Sequence, residues 1–344
     1  MRRVLAAAVA GGALLAAGCS SSSASTASSG SSSGSASVTV RLGFLTNITH
    51  APALVALKQG LFAKALGSAG TVKPTAFSSG TQETTALLAD QLDAAYVGPN
   101  PAINAWQKSG GTAIKIVSGA ATGGASVVVA KGITSAGQLR GKTLASPSLG
   151  NTQDVALRYW LKQNGLTTTT TGGGDVFVKP TAPNSAAVLE FKSGQIAGGS
   201  EPAPYDVEMV KDGGTVLLRE PGVTTLLVVS QPFLSAHPAV VADLVKAQVQ
   251  ANDFIKANPA AAEAAANAEL ASYTAKALKP SVVSAAFKEI TFTNNPDAAS
   301  LASDASQAAS LGLLKPVNLT GIYDLGPLNQ ALAAAGEPQV SASP

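Results

Sequence analysis

Apolar and polar positions follow two periods between residues 38 and 230, and each change of period marks a strand–turn–helix unit. In VRLGFLTNITHAPALVALKQG, residues 40–60, Val40, Leu42 and Phe44 alternate as in a strand. Thr46, Asn47, Thr49 and His50 then form a polar turn. Pro52 suits the first turn of a helix, and Leu54, Val55 and Leu57 supply its apolar stripe. Gly60 is placed to close that helix in a left-handed cap.

The theme repeats. A strand up to Phe77 leads to Ser78, Ser79, Gly80 and Thr81, then to a helix carrying Leu87, Leu88 and Leu92, with Glu83 and Asp90 on its solvent side. Ala94–Val97 reads as a buried strand; Gly98, Pro99, Asn100 and Pro101 as the next turn; Ile103 and Trp106 as part of the following helix. A strand over Ala113–Val117 runs into a turn of sequence GAATGG, residues 119–124. Strands of a parallel sheet end on one edge, so four such turns line one crevice. The glycines Gly80, Gly98 and Gly124 serve either a ligand or a tight turn.

A second unit begins with the apolar strand SVVVA, residues 126–130. A short helix over Ile133–Leu139 and a strand in GKTLA precede SPSLGNTQDVALRYWLKQNG, residues 146–165. There Val155, Ala156, Tyr159 and Trp160 give a helical face, with Asn151 or Thr152 as cap and Asp154 in the first turn. Ser148, Asn151 and Thr152 surround exposed N–H groups that either bind a ligand or satisfy the helix itself. A strand at Val176–Val178, a helix at Ala182–Lys192, a strand end with the turn GSEPAPY, and strands at Val216–Leu218 and Leu226–Val229 complete the unit. After Ser230 the pattern is helical, with starts near Pro238, Pro259, Pro280 and Pro296; His237 reads as a cap.

The first residues set the address. Arg2 and Arg3, an uncharged apolar run from Val4 to Ala17, and LLAAGC ending at Cys19 read as a signal peptide. The run is shorter than the roughly 20 residues of a membrane span. The sole cysteine after Ala-Gly resembles a bacterial lipoprotein box, with Cys19 as the lipidated mature N-terminus. Residues 19–37, almost wholly Ser, Ala, Gly and Thr after Cys19, form a tether. Losing Arg2 and Arg3 brings the formal charge of +3 near +1, which gives no footprint for nucleic acid. With Cys19 lipidated, no thiol remains for disulfides, metal or nucleophilic chemistry. Between strand and helix no G-x-S-x-G elbow of a hydrolase occurs, His50 and His237 are the only histidines, and there is neither HExxH nor a P-loop. No catalytic residue, cofactor or metal is expected.

Residues 38–330 resemble the substrate-binding proteins of ABC importers in the branch for nitrate, sulfonates, taurine and thiamine precursors. The resemblance rests on LGFLTNITHAPALVALKQGLF, FSSGTQETTALLADQLDAAYVGPNPAI, ASVVVA, GITSAGQLRGKTLASPSLGNTQDVALRYWLKQNG and LEFKSGQIAGGSEPAPY. It implies an α/β fold of two lobes (type II, periplasmic-binding-protein-like), each a mixed sheet flanked by helices. Signal peptide 1–18 and tether 19–37 would precede a first part of lobe one at 38–127. A hinge at 128–131, lobe two at 132–226, a second hinge at 227–230 and a return to lobe one at 231–344 would follow. Carried over by the matching turns, the ligand contacts would be Asn47, His50, Ser79, Gly80, Asn100, Gly123, Ser148, Asn151, Thr152 and Glu201. The implied role is a monomeric, lipid-anchored protein on the outer face of the cell membrane. It would capture a small anion or zwitterion by lobe closure, deliver it to ABC permease subunits and bind no ATP. A sulfonate or related oxyanion leads, taurine-like ahead of nitrate; nitrate, bicarbonate, a thiamine-precursor-like heterocycle and a secreted hydrolase are the alternatives. Where relatives often carry a tryptophan near the EP turn, this chain has Gly198, Gly199 and Ser200. Glu201 either turns away, pairs with an ammonium, or accepts from an amine or ring N–H.

Overall fold

The computed structural model describes residues 37–342. Cys19, the signal peptide and nearly all of the expected tether lie outside them. The chain first builds β1 (Val38–Leu45), α1 (Ala51–Lys58), α2 (Leu61–Leu66), β2 (Gly70–Phe77), α3 (Gly80–Leu88), β3 (Ala94–Val97), α4 (Pro99–Lys108) and β4 (Ile114–Gly123). It then makes β5 (Ala125–Val129), β6 (Thr143–Ser146), α5 (Thr152–Gln163), β7 (Phe177–Pro180), α6 (Asn184–Lys192), β8 (Gly198–Pro202), α7 (Tyr205–Lys211) and β9 (Thr215–Arg219). The rest comprises β10 (Val223–Ser230), α8 (Gln231–Ala236), α9 (Pro238–Ala257), α10 (Pro259–Thr274), α11 (Pro280–Lys288), β11 (Ile290–Phe292), α12 (Ala298–Ser310) and α13 (Gly326–Ala335).

Two mixed sheets result, in orders β11-β4-β10-β3-β1-β2 and β7-β6-β8-β5-β9. In the first, β2 and β3 flank β1 in parallel while β10 runs antiparallel to both β3 and β4. In the second, β6 is parallel to β7 and β8, and β5 antiparallel to β8 and β9. Each sheet is covered on both faces, as βαβ winding requires. Alternate residues of one strand therefore enter different cores. Leu42 and Phe44 pack with Leu54 and with Leu244 of α9, whereas Ala95 and Val97 pack with Ile103, Trp106 and Leu301. In lobe two, Val127 and Val129 meet Leu157 and Leu161 of α5, while Val128 meets Ala187, Phe191 and Met209 on the other side. The helices α8 to α13 return to lobe one, which the strand pattern alone did not foretell.

Four readings change. GAATGG is no turn, because Ile114–Gly123 is one strand paired on both edges. The chain passes between sheets at Gly123–Gly124 and at Glu220–Gly222, earlier than the expected hinges. Residues 128–129 end β5, and residues 227–230 lie inside β10 of the lobe-one sheet. Gly123 and Gly124 have φ of 70° and 72°, the region glycine enters without a Cβ clash, and this allows the sharp exit from β4. Glu83 does not face solvent: it is fully buried, with both carboxyl oxygens lacking a hydrogen-bond partner. Glu201 lies in strand β8 rather than in the following turn. Among the described residues no helix is long and apolar enough to cross a membrane.

Candidate functional site

Three strand ends deliver three helix starts to one place between the lobes. Ser79 caps α3, its Oγ accepting from Gln82 N–H. Gly98 precedes α4. Asn151 caps α5, its Oδ1 accepting from Asp154 N–H at 2.9 Å. The α5 turn is braced from beneath. Asp154 accepts from Ser146 Oγ at 2.7 Å, Gly150 N–H at 2.9 Å and Arg158 Nε at 2.9 Å, and both members of the ion pair are buried.

Two small adjoining cavities lie at this meeting point, each about 20 Å³, the space of a single water. Asn47, Gly80, Asn151 and Gln153 line both. His50, Gly98, Thr152 and Thr224 border the first, and Ser79 and Asn184 the second. Neither lining contains Lys, Arg, Asp or Glu. The lobes touch across the gap. Ile48 N–H donates to Ala203 O, Tyr205 OH to Thr46 O, both at 2.8 Å, and the Thr81 and Ser148 hydroxyls lie 3.2 Å apart. A Cβ on Gly98 would sit 2.4 Å from Thr152 Oγ1, so the missing side chain is what lets α5 approach.

His50 accepts Leu45 N–H on Nδ1 at 3.2 Å, and burial pushes its pKa down to about 3. It is a neutral imidazole whose Nε2–H is the one donor left. Asn47 Oδ1 accepts from Thr49 Oγ1 at 2.7 Å, so its amide NH₂ is what remains for a ligand. Thr152 is 7 % exposed and its Oγ1 has no partner. Backbone N–H groups at helix starts and neutral donors are groups that favour negative charge, and no charged side chain stands among them.

Six of the ten expected contacts therefore come together: Asn47, His50, Ser79, Gly80, Asn151 and Thr152. Ser148 stands at the rim against Thr81. Asn100 turns away and donates to Asp304 O at 3.3 Å, tying α4 to α12. Gly123 belongs to the crossover, where a Cβ would meet Glu289 O at 2.8 Å. Glu201 is fully buried beside Ser126 of β5 and does not line either cavity. Burial, then Asp206, push its pKa well above the carboxylate range, with Asn184 opposing and Glu220 adding to the rise, and neither carboxyl oxygen has a hydrogen-bond partner. Thr224, Gln153 and Asn184 were not anticipated. Gln153 follows Thr152 in the first turn of α5 and could have been found there, whereas Thr224 arrives on β10, which was assigned to the other lobe.

These features have relatives. The profile of the NMT1-like family matches residues 33–271, and the chain belongs to that family. Among curated proteins none matches. The alkanesulfonate-binding protein SsuA from Xanthomonas axonopodis pv. citri, bound to MOPS, superposes with a TM-score of 0.69 at 17% identity, over 84% of this chain and 98% of that one. The periplasmic nitrate-binding protein NrtA from Synechocystis PCC 6803 does so with 0.73 at 14%, over 88% and 90%. The periplasmic aliphatic sulphonate binding protein SsuA from Escherichia coli gives 0.64 at 18%, over 83% and 97%. At these identities the likeness establishes the fold, two α/β lobes of the periplasmic-binding-protein type.

Proposed function

We propose that this chain is the extracytoplasmic solute-binding component of an ABC importer, and that it captures a small sulfonate or related oxyanion by lobe closure. The observation that carries the reading is the convergence of the α3, α4 and α5 N-termini on cavities lined by neutral donors. The lack of an aromatic wall apart from His50 weighs against a stacked heterocycle. Glu201, fully buried and absent from both linings, is a poor ammonium partner, so an amine-free sulfonate stands ahead of taurine, with nitrate and bicarbonate next. Family membership supports a binder rather than a catalyst, and His50, with Nδ1 engaged and its pKa near 3, is no base at neutral pH.

Delivery goes to a permease pair, and Cys19 tethers a monomer to the membrane through lipid. Intact mass of the detergent-extracted protein shows diacylglycerol on Cys19 if the tether is as proposed; an unmodified soluble chain overturns it. Calorimetry against methanesulfonate, taurine, nitrate, bicarbonate, sulfate and a pyrimidine tests the ligand. The expected outcome is methanesulfonate tightest, with Glu201→Gln leaving the affinity unchanged. Binding of the pyrimidine alone overturns the oxyanion reading.

A further inference from the structure

Behind Thr152 and Thr224 the lobes leave a second, larger space. A groove of about 540 Å³ runs between α5 and α12 and is floored by the crossover from Leu218 to Thr224. That volume is in the range of pockets that hold small organic molecules. Its lining differs in kind from that of the crevice. α5 presents Tyr159 and Trp160; Glu220, Asp297 and Asp304 bring three carboxyls; no Lys or Arg takes part. Lys162 is nearby on α5, but its Nζ is held by Ser310 O at 2.7 Å.

The carboxyls are incompletely served. Glu220 is 7 % exposed, and its internal partner is Ser200 Oγ, which donates to Oε1. Asp304 Oδ2 is buried without a partner, as is Thr152 Oγ1 on the wall shared with the crevice. Burial pushes Glu220 up to about 8 and Asp304 well above its usual range, with Glu220 and Asp297 raising Asp304 further. On the groove side nothing positive faces these acids, although Glu220 also borders a neighbouring cavity with Arg219, Lys288 and Glu289; a buried carboxylate without a cation is costly. Two aromatic rings beside acids are the surroundings that an alkylammonium group favours.

We propose that this groove is a second binding site, for a small organic cation seated against Tyr159 and Trp160 and facing Glu220 and Asp304. Its walls belong to both lobes, so an occupant bridges them and favours the closed form. The site shares only Thr152 and Thr224 with the crevice and does not depend on the oxyanion reading.

The test uses the purified full chain with choline and tetramethylammonium, against sodium chloride at equal ionic strength. Calorimetry gives affinity, and tryptophan emission reports Trp160 against the buried Trp106. Saturable binding of both cations is expected, weakened about tenfold or more in Glu220→Gln and in Asp304→Asn, with the methanesulfonate response of both variants retained. Trp160→Leu should weaken choline and, although it also loses packing on the lobe-two core, leave the methanesulfonate response in place. No saturable binding of either cation, an equal response to sodium, or unchanged affinity in both acid variants overturns the proposal. Loss of methanesulfonate binding alone bears on the crevice and leaves this site standing.

Discussion

The crevice and the crossover behind it are both buried and polar, yet they solve the problem of buried polarity in opposite ways. The crevice holds amides, hydroxyls, a neutral imidazole and helix N-termini, with no charged side chain in its lining. At and beside the crossover lie Glu220, Glu201 of β8 and Asp206 of α7, each buried and each pushed toward its protonated form mainly by desolvation. Donor ends of helices welcome an incoming negative charge, whereas carboxyls without a cation keep their protons. A region lined by neutral donors thus adjoins, at Thr152 and Thr224, one whose acids resist becoming anionic.

The sharpest way to break that contrast is to unbalance the one charged pair that supports the crevice from below. Arg158→Leu leaves Asp154 buried without its guanidinium, and breaking such a pair costs about 3–5 kcal/mol. Urea denaturation should show that loss, and oxyanion affinity should fall with it because Asp154 also holds Gly150 N–H. Adding Asp154→Asn should recover part of the stability. Additive losses would mean the two residues act separately.

The next effect separates the two regions by pH. Glu220 has a folded pKa near 8 against a reference of 4.5, so the folded state holds a proton that the unfolded state releases. Its stabilising contribution is full below pH 4.5 and is lost as pH rises through 8. His50 has the opposite sign: folded near 3 against 6.5, its contribution is present above 6.5 and lost as pH falls toward 3. Each unit of separation is worth about 1.4 kcal/mol, so Glu220→Gln should flatten the alkaline decline by about 2 kcal/mol or more. Thermal midpoints from pH 4 to 9 measure it, with the acid limb unchanged in that variant. An unaltered alkaline limb would show that Glu220 is not the source.

What was legible follows from how local each signal is. Apart from the second half of β4, strands and helices from Val38 to Gly165 were readable because period, cap and turn residues lie close together. Gly60 at φ 66° and the Asn151 cap are examples. The crossovers were misplaced because SVVVA and TLLVV are equally apolar on both sides of the lobe boundary, and only pairing decides which sheet a strand joins. Glu83 looked solvated because helical spacing shows which residues share a face but not how deep the face lies. Glu201 looked like a ligand because the turn motif was visible while the β5–β8 register that buries it was not. All six residues that converge sit at turns or caps or flank them, where spacing alone points.

A smaller effect tests the closed crevice without touching a charge. Gly98 has φ −69°, so alanine fits its backbone, but the added Cβ would lie 2.4 Å from Thr152 Oγ1. Gly98→Ala should leave lobe stability near wild type and lower oxyanion affinity about tenfold, or about 1.4 kcal/mol. Small-angle scattering should show that the variant no longer reaches the closed radius at saturating ligand. Thr152→Ala in the same chain should restore the closed shape while affinity stays reduced, since Thr152 is itself part of the crevice. A closed radius equal to wild type in Gly98→Ala would mean that α5 yields and that the glycine is there for the turn alone.

The smallest effect concerns the rim. The Thr81 and Ser148 hydroxyls meet across the lobes at 3.2 Å in an exposed setting, where water offers each an equivalent partner. Thr81→Val keeps the shape and removes the hydroxyl, so the expected change is about 0.5 kcal/mol in ligand affinity, little more than a factor of two. Tyr205→Phe removes a half-buried bond to Thr46 O at 2.8 Å and should cost more, about 1 kcal/mol, because that carbonyl is then left with less. The order Gly98→Ala, Tyr205→Phe, Thr81→Val is therefore the expected ranking by calorimetry. If Thr81→Val matched Gly98→Ala, closure would rest on latches at the edge, and the neutral interior would have to bind its ligand before the lobes meet rather than because they do.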